Sequence, residues 1–144
     1  MMLSVIGNAA DRCWREIANH FHHIYLDEYV IMPNHVHGIV VIDHGRARNY
    51  EKCAACAARR DEACLVSTNG KHISPKPTSL ATIVGSYKSA VTKITHSQYP
   101  ASIFVWQPRF HDRIIRDEFE FGRIQKYVRE NPAKWDEDDL HCET

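Results

Sequence analysis

Four side chains in this sequence could do chemistry together. His35 and His37 stand two apart in "MPNHVHGIVVI", behind Pro33 and at the head of an apolar run, and Tyr127 and Asn131 stand four apart in "YVRENP". On a β-strand, residues i and i+2 share a face, so the two imidazoles would project side by side while Val36 points the other way. On a helix, residues i and i+4 are neighbours, so the phenol and the carboxamide would point the same way. Two neutral imidazoles and one amide oxygen make a three-ligand set with open positions, suited to a divalent cation that must also hold a phosphate oxygen. A tyrosine beside such an ion has an evident task. Its phenol, with an ordinary pKa of about 10, is a weak nucleophile until positioned, while a metal polarises the phosphoryl centre it would attack. The combination points to phosphoryl transfer through a phosphotyrosine. Each pair alone has a plainer reading: an isolated HxH is more often two partly buried surface histidines, and Tyr127 and Asn131 could pack on a sheet and cap a helix before Pro132.

Elements with the right periodicity surround these residues. Over 4–21, Val5, Ala9, Cys13, Trp14, Ile17 and Phe21 recur at spacings of three to four, which predicts an amphipathic first helix. Two β-branched-rich runs, "HIYLDEYVIM" and "HVHGIVVI", meet at Pro33-Asn34 and read as a hairpin whose second strand begins with the histidines. Residues 44–78 carry small, charged and turn-forming residues with little periodicity, and read as a loop insertion. A second helix follows over 79–97, with Leu80, Ile83, Val84, Tyr87, Val91 and Ile94 on one face. "SIFVWQPRF" reads as a strand and "HDRIIR" as a turn or strand. The third helix opens with Asp117 as N-cap and Glu120 three later, a capping box, and should end near Asn131 because Pro132 disfavours helical geometry in the residue before it. The order predicts an α+β domain spanning 1–144, with helices packed on one face of an antiparallel sheet.

Composition bounds the partners less than the motifs do. Lys plus Arg and Asp plus Glu are both 18, so total charge neither announces nor excludes nucleic acid. No apolar run reaches about 18 residues, so no membrane partner is expected, and the N-terminal residues show helical periodicity rather than a signal core; the expected location is cytoplasmic. Five cysteines in that setting predict reduced thiols. Cys53 and Cys56 form one CxxC, with Cys64 and His72 downstream, but one pair without a second is a weak zinc signal.

Three blocks, "YVIMPNHVHGIVVI", "IVGSYKSAVTK" and "VWQPRFHDRIIRDEFEFGRIQKYVRENPAKW", resemble the corresponding segments of single-tyrosine HUH transposases, most closely the REP-associated tyrosine transposase branch. The resemblance runs through about 29–43 and 79–135. It implies a ferredoxin-like sheet with the tyrosine helix laid across it, His35, His37 and Asn131 as ligands of Mg²⁺ or Mn²⁺, and Tyr127 as nucleophile. The substrate it implies is single-stranded DNA bearing hairpins or imperfect palindromes, cut to leave a 5′-phosphotyrosine and a free 3′-hydroxyl. The chain departs from the pattern in one respect: family members begin with an apolar strand, whereas Met1 to Leu3 leads almost directly into the first helix. A sheet edge left without that partner would invite self-association, so a homodimer joins the expected assemblies.

A DNA path is sketched by Lys88, Arg109, Arg113 and Lys126, with Trp106 and Phe110 beside Arg109 as candidates to stack on unpaired bases or to sit in the core. Two other functions share parts of this inventory. A replication-initiator or relaxase nuclease would carry the same histidine pair but set its tyrosine in another motif. A binding remnant that recognises DNA hairpins without cutting them would not require all of His35, His37, Tyr127 and Asn131.

Overall fold

The first helix begins because Ser4 caps it: its Oγ accepts a hydrogen bond from the Gly7 amide at 3.1 Å, filling one of the donors a helix start leaves open. From there α1 runs Val5–His20 and buries Ala9, Ala10, Cys13, Trp14 and Ile17 on one stripe. The computed structural model describes residues 2–43, 45 and 76–137. The expected loop insertion at 44–78 and the Cys53, Cys56, Cys64 and His72 group lie almost wholly outside them.

After α1 come β1, Ile24–Ile31, and β2, Val36–Ile42, paired antiparallel as the predicted hairpin. The turn closes with the Met32 amide donating to the His35 carbonyl at 2.8 Å. Leu26 pairs with Val40 and Tyr29 with Gly38, so Asp27 and Glu28 together oppose the single residue Ile39, a β-bulge. The helix α2, Leu80–Gln98, is capped by Ser79 and buries Ile83, Tyr87, Val91 and Thr95. Trp14 joins α1, α2 and the hairpin: it stacks on Tyr29 at 5.8 Å between ring centroids and meets Tyr87 edge-on at 5.3 Å. Ile24, Leu26, Tyr29 and Ile31 of β1 belong to the same apolar cluster.

Gly38 explains how closely α1 lies on the sheet. A Cβ there would fall 2.2 Å from Trp14 Cζ2 and 2.7 Å from Cη2, so the indole occupies the space that any other side chain would need. Gly38 therefore faces α1, and by strand alternation His37 and Ile39 face the other way.

On that other face lies α3, Glu118–Glu130. The expected capping box is present in a shifted form: the Asp117 carboxylate accepts from the Glu120 amide at 2.7 Å, while the Glu120 carboxylate accepts from the Arg116 amide at 3.1 Å. The α-helix ends at Glu130, next to Asn131 as Pro132 predicts, but the chain does not straighten there. Asn131 stays in the right-handed helical region, and the backbone tightens into a 3-10 helix, Asn131–Glu137, in which Pro132 sits in the first turn, where a missing N–H costs least.

The α+β class with an antiparallel sheet is as expected, but the helices do not all share one face as predicted: α1 and α2 are stacked over the Gly38 face, and the tyrosine helix lies across the face of His37. The strand predicted over "SIFVWQPRF" does not form, and "HDRIIR" likewise has no regular structure. The first of these segments has strand-like side-chain alternation, with Phe104 and Trp106 packed on the core while Ile103 and Val105 are 93% and 81% exposed. Among the described residues this segment pairs with neither strand of the sheet and lies instead against α2, where Trp106 meets Tyr87.

Candidate active site

Of the four residues singled out by type and spacing, His35, His37 and Tyr127 come into ring contact, and Asn131 lies one helical turn after the tyrosine. On β2 and the turn before it, His35 and His37 bring their Nε2 atoms to 2.9 Å, ring against ring at 79°. The Asn34 side-chain oxygen lies 2.7 Å from His35 Nδ1, which orients that ring with Nε2 toward His37. Tyr127 places its ring edge-on to His37 at 5.4 Å between centroids. Trp135, in the 3-10 helix, lies 6.0 Å from His35. Asn131 falls between Tyr127 and Trp135 in the chain, one helical turn after the tyrosine, and its amide donates to the Tyr127 carbonyl.

Burial divides the site in a way that suits its chemistry. Tyr127 is 54% exposed, so its hydroxyl is open to a large substrate, whereas Asn131 is only 5% exposed. The Asn131 Oδ1 is buried without a hydrogen-bond partner among the described residues. A buried amide oxygen left unsatisfied costs on the order of 1–3 kcal/mol, and a cation or its bound water would remove that cost. The facing imidazole nitrogens fit the same occupant. Two ligands bound at about 2.1 Å and at right angles to each other would stand about 3.0 Å apart, close to the 2.9 Å between His35 Nε2 and His37 Nε2. Two neutral nitrogens and an amide oxygen, with room left for water and phosphate oxygen, are a donor set that accommodates Mg²⁺ or Mn²⁺. Among the described residues no three His, Cys, Asp or Glu side chains cluster as a metal group, so the third donor here would be the amide.

The helix that carries Tyr127 is fastened to the bulge of β1. Gln125 Nε2 donates to the Asp27 carboxylate at 2.6 Å, and the Arg129 guanidinium pairs with Glu28. Val128 is buried beneath the helix. Neither Asp27 nor Glu28 carried a motif signal, and the bulge that presents them has no sequence mark beyond two adjacent acids inside an apolar strand. Trp135 was missed for a similar reason, since its approach to His35 depends on the 3-10 turn after Pro132.

The basic residues are less uniformly available. Lys88 donates through Nζ to the carbonyls of Gln107 at 2.8 Å and Arg109 at 3.1 Å and lies over the Trp106 ring, while the Trp106 indole N–H donates to the Lys88 carbonyl. Burial lowers its pKa. Its ammonium is thus engaged in holding the 106–109 segment against α2. Arg113 is paired with Glu120 at 2.5 Å, and Lys126 stands 3.7 Å from Glu130. Both keep most of their side chain in solvent, where such pairs are weak and exchangeable. Arg109 and Phe110 are exposed beside them, whereas Trp106 packs against Tyr87 and Phe104.

An uncharacterized protein of Haemophilus influenzae is 33% identical to this chain over 147 residues, which take in 99% of the chain and 73% of the relative. No protein-family model and no solved structure matches.

Proposed function

The chain belongs to one family with the uncharacterized Haemophilus influenzae protein, and we propose that it is a metal-dependent single-stranded DNA nickase and strand transferase, acting at DNA hairpins through a 5′-phosphotyrosine on Tyr127. The observation that carries this reading is the contact of Tyr127 with the His35–His37 pair, 90 residues away in the chain, with the buried, unsatisfied Asn131 Oδ1 one helical turn after the tyrosine.

His35, His37 and Asn131 would hold Mg²⁺ or Mn²⁺, which when bound supplies Lewis-acid polarisation of the scissile phosphate. Tyr127 does the bond-making. Its hydroxyl oxygen forms the new bond to phosphorus as the bond from phosphorus to the 3′ oxygen breaks. The phenolic proton is balanced by the proton that completes the departing 3′-hydroxyl, so the step is a transesterification that conserves one phosphodiester. Strand transfer is the same exchange run with a different 3′-hydroxyl. The hydroxyl's exposure suits a flexible, unpaired strand, and Arg109, Phe110, Arg113 and Lys126 offer cationic and stacking contacts to it. Lys88 contributes by holding the segment that bears Arg109 and Phe110.

Tyr127→Phe tests the reading by removing one oxygen. With Mn²⁺ and a hairpin oligonucleotide labelled at its 3′ end, the unaltered protein should give a labelled covalent band on a denaturing gel. The variant should give none while still shifting the oligonucleotide on a native gel. If the unaltered protein forms no adduct but binds the hairpin, the protein is a binding module; if Tyr127→Phe still forms it, another residue is the nucleophile.

A further inference from the structure

A tyrosine on a helix surface is only as well placed as the helix is held against rotation about its own axis. Successive residues of α3 step round that axis by about 100°, so Gln125 and Arg129 lie on one flank, Tyr127 on the other, and Val128 with Asn131 beneath. The flanks meet different strands: Tyr127 reaches His37 on β2, while Gln125 and Arg129 reach Asp27 and Glu28 on β1. Contacts beneath the helix fix its height, but only lateral contacts oppose a roll.

We propose that the acidic bulge of β1 is the positioning device of the proposed reaction: Glu28 and Asp27, by gripping Arg129 and Gln125, set the roll of α3 and thereby the place of the Tyr127 hydroxyl relative to the His35–His37 pair. This rests on Tyr127 being the nucleophile. The bulge is what makes the grip possible. Two residues opposite one leave both acids free of regular alternation, so adjacent side chains both reach α3. Asp27 is itself oriented, since its Oδ1 also accepts from the Glu28 amide at 2.8 Å. The Glu28–Arg129 pair is largely in solvent, with side chains 34% and 67% exposed, so its worth to overall stability is small. Its leverage is geometric. Side chains end roughly 5–6 Å from a helix axis, so a roll of about 10° carries a tip by about 1 Å, and a misplacement of that size costs on the order of a hundredfold in a positioned reaction.

The test is a charge exchange: Glu28→Arg, Arg129→Glu and the double variant that carries both. At saturating hairpin oligonucleotide and Mn²⁺, each single variant should slow single-turnover adduct formation on the order of tenfold to a hundredfold. Oligonucleotide affinity and melting temperature should change little, as for ordinary surface substitutions, and the exchanged pair should restore most of the rate. The ring-proton resonances of His37 supply a readout independent of activity, because the Tyr127 ring sits edge-on to it; they should move in both single variants toward their position in Tyr127→Leu and return in the double. Single variants with full adduct rates, or an exchanged pair that fails to restore them, would overturn the positioning role. If the unaltered protein forms no adduct, the nucleophile reading fails while the His37 resonances still decide whether the bulge sets the roll: unmoved resonances reject it, moved and restored ones uphold it.

Discussion

Gly38→Ala adds one methyl group where the structure has none to spare. The new Cβ would stand 2.2 Å from Trp14 Cζ2, against an optimal carbon separation of about 3.5 Å or more, so something must move by more than about 1 Å. Trp14 has little freedom to yield, being 6% exposed and wedged between Tyr29 and Tyr87. The strand must therefore give, and His37 and Ile39 move with it. Overpacking of this kind costs about 1–3 kcal/mol and occasionally more. The usual gain from replacing a strand glycine is at most about 1 kcal/mol, which leaves a net loss of about 2 kcal/mol. Urea unfolding should show a lower midpoint with an unchanged slope. Trp14→Phe deletes the benzo-ring carbons that the methyl would strike. It should cost stability by itself through the cavity it opens, yet recover part of the Gly38→Ala loss in the double variant, with a coupling of about 1–2 kcal/mol. Mn²⁺ affinity, read by calorimetry, should fall in Gly38→Ala through displacement of His37 and recover in the double. Strictly additive losses, or a Gly38→Ala protein as stable as the original, would refute the close packing of α1 on β2.

Asn131→Ala removes the buried Oδ1 proposed to meet the cation, so calorimetric Mn²⁺ affinity should drop at least tenfold while, without metal, stability falls by no more than about 1 kcal/mol, because the oxygen had no partner to lose. Tyr87→Phe should leave stability at neutral pH equal or raised by up to about 1 kcal/mol, since the Tyr87 hydroxyl is likewise buried without a partner. The same substitution should flatten alkaline unfolding. Burial pushes the Tyr87 pKa well above its ordinary value, so the unfolded phenol ionises first; the stabilisation is fully present below about pH 10 and is lost as pH rises above it, and unfolding midpoints measured across that range should diverge between the two proteins.

The sequence carried the helices and hairpin well because local signals and tertiary packing agree in them. Ser4, Ser79 and Asp117 cap where capping residues precede apolar periodicity, and the stripe through Cys13, Trp14 and Ile17 is buried as its spacing requires. The site residues were legible for the same reason: His35 and His37 share a strand face, and Tyr127 and Asn131 share a helix face. What the chain conceals depends on distant partners. The "SIFVWQPRF" segment has strand composition, but a strand needs a neighbour to hydrogen-bond with, and periodicity does not say whether one is there. Lys88 looks like a phosphate contact until the carbonyls of Gln107 and Arg109 are brought to its ammonium. Pro132 marks a break in α-helical preference but not the 3-10 continuation that returns Trp135 to His35.

The bulge in β1 also acts as a frame shift along the strand. Ile24 and Leu26 face the core on even positions, and Tyr29 and Ile31 face the same core on odd ones. Strict alternation would have sent Glu28 inward beside Leu26 and turned Tyr29 out, away from Trp14. The extra residue between Leu26 and Tyr29 resets the phase, so both halves of the strand present their apolar side chains to α1. The extra residue thus sets a second acid on the α3 side without disturbing the apolar face. Replacing Asp27 or Glu28 alters a contact, whereas deleting either position would return the strand to strict alternation, with Ile24, Leu26, Tyr29 and Ile31 still on one face and a single acid left opposite Ile39 to meet α3.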